Sequence, residues 1–477
     1  MPRKPTTPPP ADTSATLTAA LAQQRQAHRA RPMPTLRERQ ADLRTLARFV
    51  REQRDAMADA ISADYGQRSR HETLLMEVGP ALAAIRHAAK HLPQWMKVQA
   101  RGVDRLTFGM GDNRVIPQPL GVVGVIVPWN FPLNLSWIPL SCIFAAGNRA
   151  MVKFSEKSPH FSRLLVERLP SYFPAEKLQV FADPGGLGPA FSQLPFDHLL
   201  FTGSSTTGRA VMAAAAGNLC PVTLELGGRS PAIVCDDFDT ATAADRIGFV
   251  KFLNAGQVCT TVDHVYVPRR QLPAFVEQLR ASVPRRYPRL DTPDYTSIID
   301  HAAYRRLRET LKDAAARGAH VEPLLQPAFD DAAHRIAPHL VLDAAADSTL
   351  LQREIFGPIL PVLPYDDLDK VLARINDGPR PLALYPFSNK AARIERIIER
   401  TMSGGVTVND ALMHVGQEDL PFGGVGDSGM GHYHGVEGFM TFSKLRPVFT
   451  QARFATTALL SPPYGAVADR LLKLMQR

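Results

Sequence analysis

From Gly121 onward the chain repeats one rhythm, a short apolar strand followed by a helix, and few folds accommodate it. Residues 122–127 read as a buried strand and 133–146 as an apolar helix. A strand over 150–154, an amphipathic helix over 160–172, strands over 178–182 and 198–202 and an Ala-rich helix over 204–217 follow. A second run begins near Glu225, with strands over 232–235, 265–268, 339–342 and 359–365 and helices over 240–253, 273–283, 304–317, 368–375 and 391–402. Such alternation predicts parallel sheets with helices on their faces, because each connection between parallel strands must cross back over the sheet. At 477 residues the chain exceeds one ordinary domain, and without a long linker its domains should be tightly apposed.

The flanks depart from this rhythm. Residues 1–16, rich in Pro and Thr, predict a disordered tail, and they lack the apolar region of a signal peptide. Helical spacing over 17–63, broken at Pro32 and Pro34, and again over 72–95 predicts a helical lead-in. Strand composition over 103–118 predicts a hairpin turning at 109–113. Residues 445–450 predict an edge strand able to pair with that hairpin or with another chain, and 466–475 a short amphipathic helix. No stretch approaches the ~18 continuous apolar residues of a membrane span. The four cysteines, Cys142, Cys220, Cys235 and Cys259, form no C-x-x-C pair and no zinc pattern. That predicts a cytoplasmic, reducing setting with no disulfide framework and no metal site. The net charge of +9 comes from arginines spread along helical stretches, which predicts a solvated basic surface and no nucleic-acid partner.

Cys259, in Asn254-Ala255-Gly256-Gln257-Val258-Cys259-Thr260, is the residue around which chemistry can be assembled. A thiol with pKa ~8.5 needs an activating environment, a base and donors for any oxyanion it creates. Glu225, in Thr223-Leu224-Glu225-Leu226-Gly227-Gly228, offers a carboxylate, and Asn130, in Val127-Pro128-Trp129-Asn130, an amide. Phe201-Thr202-Gly203-Ser204 leads from a strand into a helix whose N-terminus is a phosphate site in principle and an ordinary turn otherwise. Lys153 near a strand end, with Glu156 three residues on, stands where ribose-contacting groups sit in doubly wound sheets; the alternative is a plain surface pair. Gly424-Val425-Gly426-Asp427-Ser428-Gly429 spells a dinucleotide fingerprint but neither follows a buried strand nor opens a helix, so it reads as a loop near an active site. The rival reading is a cofactor-free cysteine hydrolase or acyltransferase using Cys259 and Glu225. It leaves the Gly203 turn, Lys153 and Glu354 without a task, and no histidine lies in either motif.

Pro128-Trp129-Asn130, Lys153-Phe154-Ser155-Glu156, Phe201-Thr202-Gly203-Ser204, Leu224-Glu225-Leu226-Gly227-Gly228, Gly256-Gln257-Val258-Cys259, Glu354-Ile355-Phe356-Gly357-Pro358 and Pro421-Phe422-Gly423-Gly424 together resemble the NAD(P)-dependent aldehyde dehydrogenase superfamily. The run over 420–442 resembles its class 3 branch, and within that the coniferyl aldehyde dehydrogenase group. The resemblance implies an α/β fold with a Rossmann-like parallel-sheet cofactor domain over 17–102 and 119–224 and an α/β catalytic domain over 225–415. It also implies bridging and oligomerisation strands over 103–118 and 440–455, with a C-terminal tail over 456–477. Cys259 would be the nucleophile, Glu225 the general base and Asn130 the oxyanion donor. Lys153 and Glu156 would hold the adenosine ribose, with Gly203 and Ser204 by the pyrophosphate and Gly208 allowing close helix packing. Glu354 would bind the nicotinamide ribose with Phe356 packed nearby, and the Leu226 backbone would contact the nicotinamide amide. The implied substrate is an aromatic, coniferyl-type or medium-chain aldehyde, a fatty aldehyde being the alternative, with residues 413–415 lining its tunnel. The implied cofactor is NAD, with NADP possible, and the implied assembly a homodimer. Phe154, Arg229 and Thr260-Thr261-Val262 before Asp263 depart from common family residues without removing a catalytic group.

Overall fold

The computed structural model describes residues 11–453 and 455–476. Its framework is two parallel sheets. The first has the strand order Gly429–Met430, Val222–Leu226, His198–Gly203, Val122–Ile126, Arg149–Lys153, Leu178–Phe181. All neighbours run parallel except Gly429–Met430, which is antiparallel to Val222–Leu226. The chain therefore starts at the centre, steps outward twice, then returns to the opposite flank. This creates a switch point between Val122–Ile126 and His198–Gly203, where crossovers on the two sides leave a crevice at the strand ends. Every residue of Val122–Ile126 is buried, as a strand covered on both faces requires.

One face of this sheet carries the helices Leu36–Tyr65, Gly79–Trp95 and Asn134–Ala145, whose apolar sides form one continuous core. Leu36–Tyr65 starts at a capping box in which the Thr35 side chain and Glu38 satisfy each other's backbone donors. The other face packs Leu187, Phe191, Phe201, Val211 and Leu224, together with Leu17 and Leu21. Leu17 and Leu21 overturn part of the predicted tail: residues 11–16 form the opening turns of helix Ala11–Ala30, because this apolar face anchors them. The rest of that tail lies outside the described residues.

The second sheet has the order His320–Pro323, His339–Leu342, Ile359–Tyr365, His264–Pro268, Pro231–Val234, Ala383–Phe387, Gly405–Val406. It is parallel apart from its antiparallel edge strand His320–Pro323. The chain passes from the first sheet to the second at Gly227-Gly228, so Glu225 lies inside a strand of the first sheet rather than opening the second unit. Residues 420–442 then return to the first sheet, where Gly429 pairs with Glu225.

The predicted hairpin over 103–118 is not formed as such. Asp104 caps the amides of Leu106 and Thr107, and Arg105–Phe108 becomes a helical turn between Gln99–Arg101 and Asp112–Pro119. Asp112–Pro119 instead pairs antiparallel along its whole length with Ser443–Thr450 of the same chain. The resulting three-stranded arm leaves Ser443–Thr450 as an open edge. Among the described residues, no helix is long and apolar enough to cross a membrane.

Candidate active site

Four strands of the first sheet end at one place. Val122–Ile126 delivers Trp129 and Asn130, Arg149–Lys153 delivers Lys153 and Glu156, His198–Gly203 delivers Thr202, Gly203 and Ser204, and Val222–Leu226 delivers Leu226 and Gly227. They line two joined cavities, about 590 Å³ at the Lys153 end and about 210 Å³ at the Cys259 end, which share Pro128, Trp129, Thr202, Gly203 and Ser204.

The smaller cavity gathers Asn130, Glu225, Leu226, Cys259, Glu354 and Phe356. Cys259 arrives there through Asn254, Ala255 and Gly256, three successive left-handed residues with φ of 50°, 50° and 74°. Left-handed conformation in two non-glycine residues stores strain, which persists only where neighbours over-determine it. Here they do. The Asn254 amide donates to Glu72 Oε1 at 3.0 Å, and its side chain donates to Gln257 O at 3.1 Å and to the Tyr65 hydroxyl at 3.3 Å. Gln257 donates to Asn254 O at 2.9 Å and Ser297 O at 3.0 Å and accepts from the Ile299 amide at 3.0 Å. A Cβ on Gly256 would lie 2.2 Å from Gly357 O, so the loop fits only with glycine there. Asn130 is tied to the same loop: its side-chain amide donates to Gln257 O at 3.2 Å, and its own carbonyl accepts from Tyr65 at 3.0 Å.

The electrostatics are those of a dry pocket. Glu225 is buried and neither carboxyl oxygen has a hydrogen-bond partner, so burial raises its pKa well above the carboxylate range. Burial, then Glu354 and Glu225, push the Cys259 thiol up to about 12. Burial, then Asp263, push Glu354 up to about 8 against a hydrogen bond from the Gly228 amide at 3.3 Å. Gly227 makes room for that carboxylate, since a Cβ there would lie 2.3 Å from Glu354 Oε2. Burial thus disfavours the charged form of both the thiol and the unpaired carboxyl, and Glu225 can act as a base only after it has lost its own proton.

The larger cavity suits a dinucleotide. Ser204 caps helix Ser205–Ala216, accepting from the Thr207 amide at 3.3 Å, and the helix start borders the groove. Gly208 lies beneath it, where a Cβ would come within 2.6 Å of the Leu226 side chain. Ala210, Val211 and Ala214 give an apolar wall. The Phe356 ring meets Trp129 edge-on at 5.6 Å. Glu156 is exposed, whereas Lys153 is buried and paired with Asp183 at 2.5 Å.

The sequence reading missed Asp183, although the turn Asp183-Pro184-Gly185-Gly186 just past a predicted strand marks it. It also missed Leu135 and Leu382 as cavity walls. It misplaced 413–415. Met413 is exposed, His414 bonds Thr407 at 2.7 Å and Val415 packs on the same core as Cys259, and none of the three borders the 210 Å³ cavity itself. Phe422, from the Gly-rich return loop, lines it instead.

The sequence pattern of the aldehyde dehydrogenase family matches residues 3–448. The chain is 49% identical over 458 residues to a probable coniferyl aldehyde dehydrogenase of Pseudomonas aeruginosa, covering 96% of this chain and 95% of that protein. It is 43% identical over 464 residues to a coniferyl aldehyde dehydrogenase of a Pseudomonas species, covering 96% of each. Among solved structures, it is similar to a substrate-bound AldH of Staphylococcus aureus, with TM-score 0.90, 32% identity and coverage of 96% and 99%. It is also similar to a Mycobacterium tuberculosis aldehyde dehydrogenase complexed with NAD+, with TM-score 0.82, 27% identity and coverage of 92% and 90%.

Proposed function

Because the chain belongs to the aldehyde dehydrogenase family, we propose that it oxidises an aromatic, coniferyl-type aldehyde to the carboxylic acid, with NAD as the preferred cofactor and NADP as a poorer one. The observation that carries this reading is a thiol, an unpaired buried carboxyl and a side-chain amide in the wall of one cavity that opens into a dinucleotide-sized groove. In this reading the first sheet holds the cofactor and the second carries the thiol loop.

Cys259, its proton released to water, attacks the aldehyde carbon as the thiolate, and the carbonyl π electrons move to the oxygen to give a thiohemiacetal oxyanion. The Asn130 amide and the Cys259 backbone N–H donate to that oxygen; one such donor is typically worth ~10²–10³ in rate. NAD held in the groove would accept the hydride from the thiohemiacetal carbon, which would leave Cys259 as a thioester. Lys153, Glu156, Gly203, Ser204, Gly208, Leu226, Glu354 and Phe356 bind, shape or orient the cofactor along the groove. Glu225 takes a proton from the water that hydrolyses the thioester, releasing the acid and the free thiol.

Trp129, Leu135, Leu382 and Phe422 make the cavity wall largely apolar and partly aromatic, which favours a flat conjugated aldehyde. Coniferyl aldehyde should therefore exceed hexanal in kcat/KM by at least about 10-fold, the order expected when an aromatic ring fills an apolar pocket. Equal values would remove the case for aromatic selectivity, and a preference rising with alkyl chain length would favour a fatty aldehyde instead.

For the assembly, the support is the open edge of Ser443–Thr450, flanked by exposed Phe108, Met110, Leu445 and Phe449. Such an edge invites strand pairing with a second copy. Sedimentation should give twice the chain mass at micromolar concentration, and a monomer there would count against a homodimer. All four cysteines are free, which fits the reducing cytoplasm.

A further inference from the structure

Lys153, in the lining of the groove, belongs to a buried charge pair that the sequence motifs do not record. Lys153 Nζ lies 2.5 Å from Asp183 Oδ2, and the two side chains are 7% and 3% exposed. Asp183 cannot swing away, because its other oxygen accepts from the Gly185 amide at 2.8 Å and the Leu187 amide at 3.1 Å. Glu156 differs: it is exposed, and its carboxylate accepts from Ser155 Oγ at 3.3 Å. A 2′-phosphate could push Glu156 aside towards water but could not move Asp183. The other lysine of this groove end, Lys157, is likewise matched, by Asp300 at 2.7 Å.

We propose that Asp183 is a positioning residue that withholds the Lys153 charge from a 2′-phosphate and thereby sets the choice of NAD over NADP. This rests on the reading of the groove as a dinucleotide site. An ammonium paired with a fixed carboxylate still has protons free for ribose hydroxyls, so NAD is held. Towards a dianionic phosphate the pair is nearly neutral, and the fixed carboxylate adds repulsion in a poorly screened place. Glu156 contributes a smaller, yielding part of the discrimination.

The test is direct binding, followed by quenching of protein fluorescence with NADH and with NADPH. Asp183→Asn keeps the acceptor for Gly185 and Leu187 while removing the charge. It should improve NADPH relative to NADH by about 10-fold, the scale of removing one close like charge. Glu156→Gln should move the ratio less than Asp183→Asn does. Adding Lys153→Met to Asp183→Asn should return the ratio to near wild type, since the gain runs through the freed ammonium. Asp183→Ser provides the same comparison should the Asn variant fold poorly. An unchanged ratio in Asp183→Asn or Asp183→Ser, or parallel weakening of both dinucleotides, overturns the proposal by assigning Asp183 a purely structural role. A wild-type protein that binds neither dinucleotide would overturn the cofactor reading itself.

Discussion

A Cys259→Ala variant is expected to keep its fold and its NADH affinity while losing at least about 10³-fold in aldehyde oxidation, since removal of a covalent nucleophile leaves only binding and oxyanion stabilisation. Alanine fits the site because the loop is held by Asn254, Gln257 and Glu72 and not by the thiol. Selective labelling gives a second reading. Cys142, Cys220 and Cys235 are buried, and Cys259 is partly exposed at the cavity wall. Iodoacetamide should therefore modify Cys259 first. The rate should rise with pH, because the resting thiol is pushed up to about 12 by burial and by Glu354 and Glu225. Wild-type turnover in Cys259→Ala, or first labelling elsewhere, would move the nucleophile.

Glu225→Gln should separate the two halves of the proposed reaction. Thioester formation should survive, so mixing should give a burst of NADH followed by a steady state about 10²–10³-fold below wild type, the range for loss of a positioned general base. The pH dependence follows from burial. Desolvation disfavours the charged form of Glu225, which raises its pKa, so the carboxylate that serves as base becomes more abundant as pH rises. Steady-state turnover of the wild type should climb through that titration, and the Gln variant, lacking the group, should lose the climb. A variant with neither burst nor reduced turnover would exclude Glu225 from hydrolysis.

What the sequence made legible was local. His339–Leu342 and Ile359–Tyr365 are short runs rich in Leu, Val and Ile, and their limits could be read directly. The Cys259, Glu225 and Asn130 motifs are short and self-contained, so they were found without knowing what they face. Ala383–Phe387 was not read as a strand although it lies between two others in the second sheet; its proline is no bar, since Ile359–Tyr365 carries Pro361 and Pro364. The arm was legible in part: the expected pairing of 445–450 with it is formed, between Ser443–Thr450 and Asp112–Pro119, whereas Gly109 and Gly111 look like a hairpin turn where Arg105–Phe108 is helical and Gln99–Arg101 is the other partner. The turn over 183–186 marked the place of Asp183 but not its partner, because contact with Lys153 is a matter of the folded chain. Residues 413–415 show that adjacency along the chain does not set the direction of a side chain.

The return of residues 420–442 to the first sheet has a consequence for how the enzyme is made. Cys259 and Glu225 emerge from the ribosome long before Phe422, which closes the cavity wall, and before Gly429–Met430, which covers the edge of the strand carrying Glu225. Until that late segment docks, the growing chain presents an open parallel-sheet edge and a cavity lacking one wall. The cavity wall is thus completed only near the end of synthesis, so a prematurely terminated product would carry the thiol and the carboxyl without Phe422 and without the strand that covers the Glu225 edge.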